Sequence, residues 1–138
     1  MSEALLWQLI RKNNSRTLCS RNPRTARTYE KGSLRNLISK TDSGFCNITV
    51  VNVSANEDGL PVLSLKNRKP EARRNPDKMW RTITLSGGVR KALARTDKLL
   101  TSYAPSKKKD ALRKVSAIYK AYARKNKGVD HTKFIATE

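Results

Sequence analysis

The sequence predicts an α+β fold: a small antiparallel β portion packed with a C-terminal pair of amphipathic helices and long basic loops. Three observations predict it. The middle of the chain is rich in β-branched residues and contains a turn signal between two alternating runs. After residue 88 the hydrophobic period changes from two to that of a helix. The segments between these regions are basic, contain proline and have no hydrophobic period. A length of 138 residues fits one domain able to bury a core. Residues 1–128 are read as that unit and 129–138 as a short C-terminal tail.

Taken in order, Leu5, Leu6, Leu9 and Ile10 recur at i, i+4 spacing around Trp7, with Ser2 placed as a helix cap. The 5–10 run also suits a buried strand, so the type of this element stays open; Trp7 is expected in the core. Asn13-Asn14-Ser15 reads as a turn. Residues 16–21 are read as a short strand with Thr17 and Cys19 on one face and Leu18 on the other. Residues 21–27 (R-N-P-R-T-A-R) read as a loop. Residues 33–39 form a weaker strand candidate. The best strand candidate is 44–53 (G-F-C-N-I-T-V-V-N-V), where alternation through Cys46, Ile48 and Val50 slips by one to Val51 and Val53 and predicts a bulge. Asn56-Glu57-Asp58-Gly59 is a turn signal, and residues 60–66 offer the return strand. Residues 67–78 hold two prolines, five basic residues and no apolar side chain beyond Ala72, and predict an extended loop. Residues 79–85 (M-W-R-T-I-T-L) predict a further strand.

In the C-terminal part, stepping about 100° per residue places Val89, Ala92, Leu93, Leu99, Leu100 and Tyr103 in one arc roughly 120° wide, with Arg90, Lys91, Arg95 and Lys98 elsewhere. Ala104-Pro105 breaks this helix and Ser106 caps the next. Leu112, Val115, Ile118, Tyr119, Tyr122 and Ala123 then share an arc of roughly 140°. Arg113, Lys114, Lys120, Arg124 and Lys125 lie opposite, and Gly128 ends the helix. Replacing Ile118 by Ala is expected to cost roughly 2–4 kcal/mol if that side chain is buried.

The 30 Lys and Arg against 11 Asp and Glu give a net charge of +19. The distribution is more informative than the total: residues 10–27 carry +6, residues 28–65 carry −1, residues 66–81 carry +5 and residues 82–128 carry +11. Three basic stretches around a nearly neutral, apolar-rich middle fit a folded core with several faces on phosphate. Arginine forks suit bidentate contact to phosphate oxygens, and lysines add diffuse neutralisation. The candidate RNA-binding residues are Arg11, Lys12, Arg16, Arg21, Arg24 and Arg27 in the first stretch. Lys66, Arg68, Lys69, Arg73 and Arg74 belong to the second. Lys107, Lys108, Lys109, Arg113, Lys114, Lys120, Arg124 and Lys125 belong to the third. Trp80, beside the basic loop, is either a core anchor or a base-stacking contact.

Other chemistries find little support. The single histidine, His131, lies in the polar tail and reads as a surface residue. Cys19 and Cys46 have no metal or redox spacing and read as buried, inert thiols. No carboxylate pair points to acid–base catalysis, so neither an enzyme nor a cofactor nor a small-molecule substrate is expected. Ser86-Gly87-Gly88 precedes a helix and suits a phosphate, but lacks the Gly-Lys-Ser/Thr ending of a nucleotide-binding loop. The longest apolar run, residues 5–10, is interrupted by Gln8 and far shorter than the ~20 residues of a membrane span. Glu3 stands where a secretory leader would be basic, so no leader is expected. Paired motifs of an RNA-recognition sheet, zinc fingers and leucine heptads are missing, which favours structured RNA read by shape and backbone.

Four segments in order carry a family resemblance. They are L-L-W-Q-L-I-R-K-N-N-S (5–15), E-K-G-S-L-R-N (30–36), Lys69-Pro70 leading to Trp80-Arg81-Thr82-Ile83, and A-L-R-K-V-S-A-I-Y (111–119). Over nearly its whole length the chain resembles the eukaryote-type large-subunit ribosomal protein family numbered twenty-eight. It departs from that family at Ser15-Arg16-Thr17-Leu18, which lacks an aromatic, and in its milder tail. The resemblance implies a structural constituent of the large ribosomal subunit, with large-subunit ribosomal RNA and neighbouring large-subunit ribosomal proteins as partners. It also implies residence in the cytoplasmic ribosome after assembly in the nucleolus. The alternative is a non-catalytic RNA chaperone or ribosome-assembly factor bound only to precursor particles.

Overall fold

The computed structural model describes residues 2–18 and 26–126. Helix α1 (Glu3–Ile10) resolves the open choice at the N-terminus: the Ser2 hydroxyl accepts the N–H of Leu5 at 3.3 Å. None of its residues is buried, so Trp7 is half-covered on α1 rather than part of the core. Strands β1 (Thr17–Leu18) and β2 (Arg27–Thr28) form a two-residue antiparallel pair, with Thr17 opposite Thr28. Most of the 21–27 loop and the position of Cys19 lie outside the described residues.

Residues 33–39 are not a strand. Their one ladder contact is a bridge between Leu37 and Arg27, and Asn36 takes a left-handed φ of 57° that interrupts extended backbone. The segment still delivers Leu34 to the core. Residues 44–50 also depart from the expected strand. The Asn47 amide donates to the carbonyls of Lys40 (2.6 Å), Thr41 (3.1 Å) and Ser43 (2.8 Å), folding the chain into turns behind a one-turn 3-10 helix, Lys40–Asp42. Strand β3 (Val51–Ala55) begins where the alternation slips, so the slip marks a strand end rather than a bulge. Cys46 is buried, as expected.

Strand β4 (Pro61–Lys66) is central, paired antiparallel with β3 on one side and β5 (Trp80–Thr84) on the other. The turn at 56–59 closes through the Gly59 N–H on the Asn56 carbonyl at 2.8 Å, with Gly59 at φ +80°. A Cβ there would stand 2.8 Å from the Tyr122 ring, which packs on this turn. Between β4 and β5, the expected extended loop contains helix α2 (Pro70–Arg74), started by proline at its first turn and anchored by buried Ala72.

Helices α3 (Val89–Tyr103) and α4 (Lys108–Asn126) pack on each other, and α4 lies on the sheet. Ala104 and a 3-10 turn, Pro105–Lys107, join them. Ala92, Thr96 and Leu100 face inward from α3, and Ala111, Val115 and Tyr119 from α4. They meet Val51, Val53, Leu63 and Leu65 of the sheet in one core. The α4 arc is thus rotated from the expected one: Ala111 is fully buried, while Ala123 is exposed and Leu112 and Ile118 are half-covered. Thr96 is tolerated inside because its hydroxyl donates to the Ala92 carbonyl at 2.8 Å.

Candidate nucleic-acid interface

The frame places the candidate cations unequally. Arg11 and Lys12 follow α1 and Arg16 precedes β1; with Arg27 on β2, all four are exposed. Arg68, Lys69 and Arg74 are exposed around α2, which also contains Arg73, and Lys109, Arg113, Lys120, Arg124 and Lys125 are exposed along α4. Arg21 and Arg24 lie outside the described residues. Arg68 and Lys69 share a recess of about 370 Å³ with Arg81 and Tyr103. The Arg68 guanidinium sits 4.7 Å from the Tyr103 ring centroid and donates to that residue's carbonyl, which fixes its direction. The Tyr103 hydroxyl is itself tied to the carbonyl of Lys66 and accepts the Val50 N–H at 3.3 Å. Burial raises the Tyr103 pKa above its ordinary value, with Val50 and Arg68 pulling it down.

Lys66 corrects the sequence reading. It is buried, and its ammonium donates to the carbonyls of Gly44 (2.8 Å) and Asn47 (3.0 Å). It ends the central strand facing the 44–47 turns, with its ammonium engaged by backbone carbonyls; a lysine inside a basic run carries no sequence signal of this. Lys66→Met is expected to cost about 2–4 kcal/mol, because a buried carbonyl at Gly44 and a partly buried one at Asn47 lose a charged donor. A thermal melt within about 0.5 kcal/mol of wild type would refute this role.

Three lysines of the 3-10 turn and the N-terminal half of α4 also do more than face solvent. Lys108 pairs with Asp97 at 2.7 Å across the helix pair. Lys114 is half-buried and reaches the Ser33 carbonyl at 3.4 Å; burial lowers its pKa. The Lys107 nitrogen is buried with no hydrogen-bond partner among the described residues. Burial lowers its pKa, and the charges of Asp42 and Glu30 pull it partly back. A lysine that binds its proton less tightly when folded destabilises the fold at neutral pH, and that penalty fades as pH rises toward the ordinary value of 10.5. Lys107→Met is therefore expected to raise stability by about 1 kcal/mol at neutral pH and to flatten the alkaline rise. Melts at stepped pH, kept below the tyrosine range, check both; a variant that melts earlier refutes them.

The outward side of α3 and α4 is not uniformly basic. A groove of about 740 Å³ has Leu93, Ala94, Leu112 and Ala117 in its lining, with Lys98, Arg113 and Lys120. Arg113 is 81% exposed and only loosely paired with Asp110, at 3.7 Å. Lys91, Arg95 and Lys98 line an adjoining ledge on α3. These α3 cations were missing from the candidate set, although their positions off the apolar arc are legible in the helical count. The Ser86-Gly87-Gly88 turn precedes α3, and the Tyr119 hydroxyl donates to its Gly87 carbonyl at 2.8 Å, which ties the turn to α4.

Among the described residues there is no cluster of ligating side chains for a metal, and no helix is long and apolar enough to cross a membrane. Fold and charge together define a small, strongly basic α+β protein. Residues 5–121 match the Ribosomal L28e protein family, and the chain belongs to that family. The large ribosomal subunit protein eL28 of Caenorhabditis elegans is 37% identical over 86 residues, spanning 62% of this chain and 64% of that relative.

Proposed function

We propose that the chain is a structural constituent of the large ribosomal subunit that binds and stabilises ribosomal RNA through its basic loops and helix faces, without catalysis. Membership of a ribosomal family over 5–121 carries this reading. It is supported by the exposure of most candidate cations on a frame whose core is independent of them. A net charge of +19 also requires counter-charge that RNA supplies. Neighbouring large-subunit proteins are proposed as further partners, because α1 leaves Leu5 and Leu9 more than half exposed and phosphate does not cover apolar surface. The cytoplasmic ribosome is the proposed residence, reached after assembly in the nucleolus.

The test is co-sedimentation of the full chain with purified large subunits washed in high salt. Stoichiometric retention is expected. Recovery only on precursor particles would replace the reading by that of an assembly factor.

A further inference from the structure

The turns at 43–47 are held by two buried ionic side chains. On one side Glu30 accepts the Ser43 hydroxyl at 2.9 Å and the Phe45 N–H at 2.8 Å. On the other, Lys66 donates to the carbonyls of Gly44 and Asn47 at 2.8 and 3.0 Å. Gly44 permits a close backbone approach here, since a Cβ would stand 2.1 Å from the Lys31 carbonyl oxygen. Burying charged groups is costly unless they are fully engaged. These groups do not cover the aromatic they position: Phe45 remains 54% exposed at the tip.

Phe45 borders a recess of about 340 Å³ whose other walls include Met79 and Trp80. Two exposed cations, Arg16 and Lys31, line the same recess, and the Lys31 ammonium lies 4.3 Å from the Trp80 ring centroid. A preset aromatic face with cations beside it is the chemistry of single-stranded nucleic-acid binding, in which the ring takes a base and the cations take the backbone. An aliphatic side chain of a protein neighbour would fill the recess but leave both cations without counter-charge. We propose that the recess between Phe45 and Trp80 receives one unstacked base of single-stranded RNA, stacked on Phe45, with its flanking phosphates on Arg16 and Lys31. This deepens the RNA-binding reading above and rests on it.

The test uses the full chain with Trp7→Phe, which leaves Trp80 as its one tryptophan. The probes are a short oligoadenylate and a blunt RNA duplex of the same length. Trp80 emission is expected to change with the single strand and not with the duplex. Phe45→Ala should weaken oligoadenylate binding about tenfold or more, with duplex affinity and the salt slope unchanged. Phe45→Leu should lose about as much, and Phe45→Trp should retain binding; these two decide the matter even if the alanine variant folds poorly. Leucine binding oligoadenylate as well as wild type would overturn the proposal in favour of an apolar protein contact. Equal losses on both probes, or a Trp80 response to duplex, would overturn it too. In those cases duplex binding and co-sedimentation of the chain with Phe45 intact persist; failure of the wider reading would abolish both.

Discussion

Affinity for a large-subunit RNA fragment is expected to fall by at least about a thousandfold between about 50 and 200 mM salt, the behaviour of a protein making on the order of ten phosphate contacts. The exposed cations are numerous enough for this, and they come from the segment after α1, β2, the α2 region and α4. Arg113 and Lys120 provide an internal control, because both are exposed on α4. Changing both to Gln should leave the melt within about 0.5 kcal/mol of wild type and reduce the slope of log affinity against log salt by about 1.4–1.8. A salt titration of wild type and the double variant measures both. An affinity that barely responds to salt would remove the backbone-contact reading. A double variant that melts far earlier yet binds normally once folded would mean that α4 presents its other face.

Leu63→Ala is expected to lower the stability of the free protein by about 3–5 kcal/mol. Leu63 is fully buried on the central strand, opposite Val53 and Ile83, and belongs to the core shared with α3 and α4. The strands on both sides prevent collapse onto the space left, so the cavity term adds to the lost transfer energy. Ile118→Ala is expected to cost less, about 1–2 kcal/mol, because Ile118 packs against the core from its partly covered margin. Denaturant unfolding of the two variants checks the order. Equal costs would show that α4 sits deeper on the sheet than the burial of its residues implies.

Much of this architecture is legible in the sequence because the relevant signals are local. Asn56 to Gly59 specify a turn through backbone conformation, and the strand-forming runs on either side of it pair as β3 and β4, with β4 buried on both faces. The helix pair is legible because Ala92, Leu100, Val115 and Tyr119 recur at helical spacing and Pro105 breaks the run. Elsewhere local pattern misleads. Residues 44–50 have strand composition, but only Val50 continues the hydrogen bonding with β4, through the Lys66 N–H at 3.0 Å, and the Asn47 amide caps the carbonyls of the preceding turns instead. Ala72 alone suffices to anchor α2, which a count of apolar residues in 67–78 overlooks.

The sequence by itself determined the class of fold, the β hairpin, the two C-terminal helices and a charge balance that calls for a polyanion, since each follows from short-range periodicity or from composition. Only the tertiary structure decided what individual charges do. Lys66, Arg68, Lys107 and Arg113 are equivalent in a basic sequence, yet they become a buried donor, a cation stacked on Tyr103, an unpartnered buried ammonium and an exposed side chain. The same holds for Phe45, whose exposure depends on Glu30 and Lys66 gripping its loop from distant positions. The physical reason is that a charge's energy depends on its dielectric surroundings and partners, and these are assembled by contacts far apart in the chain.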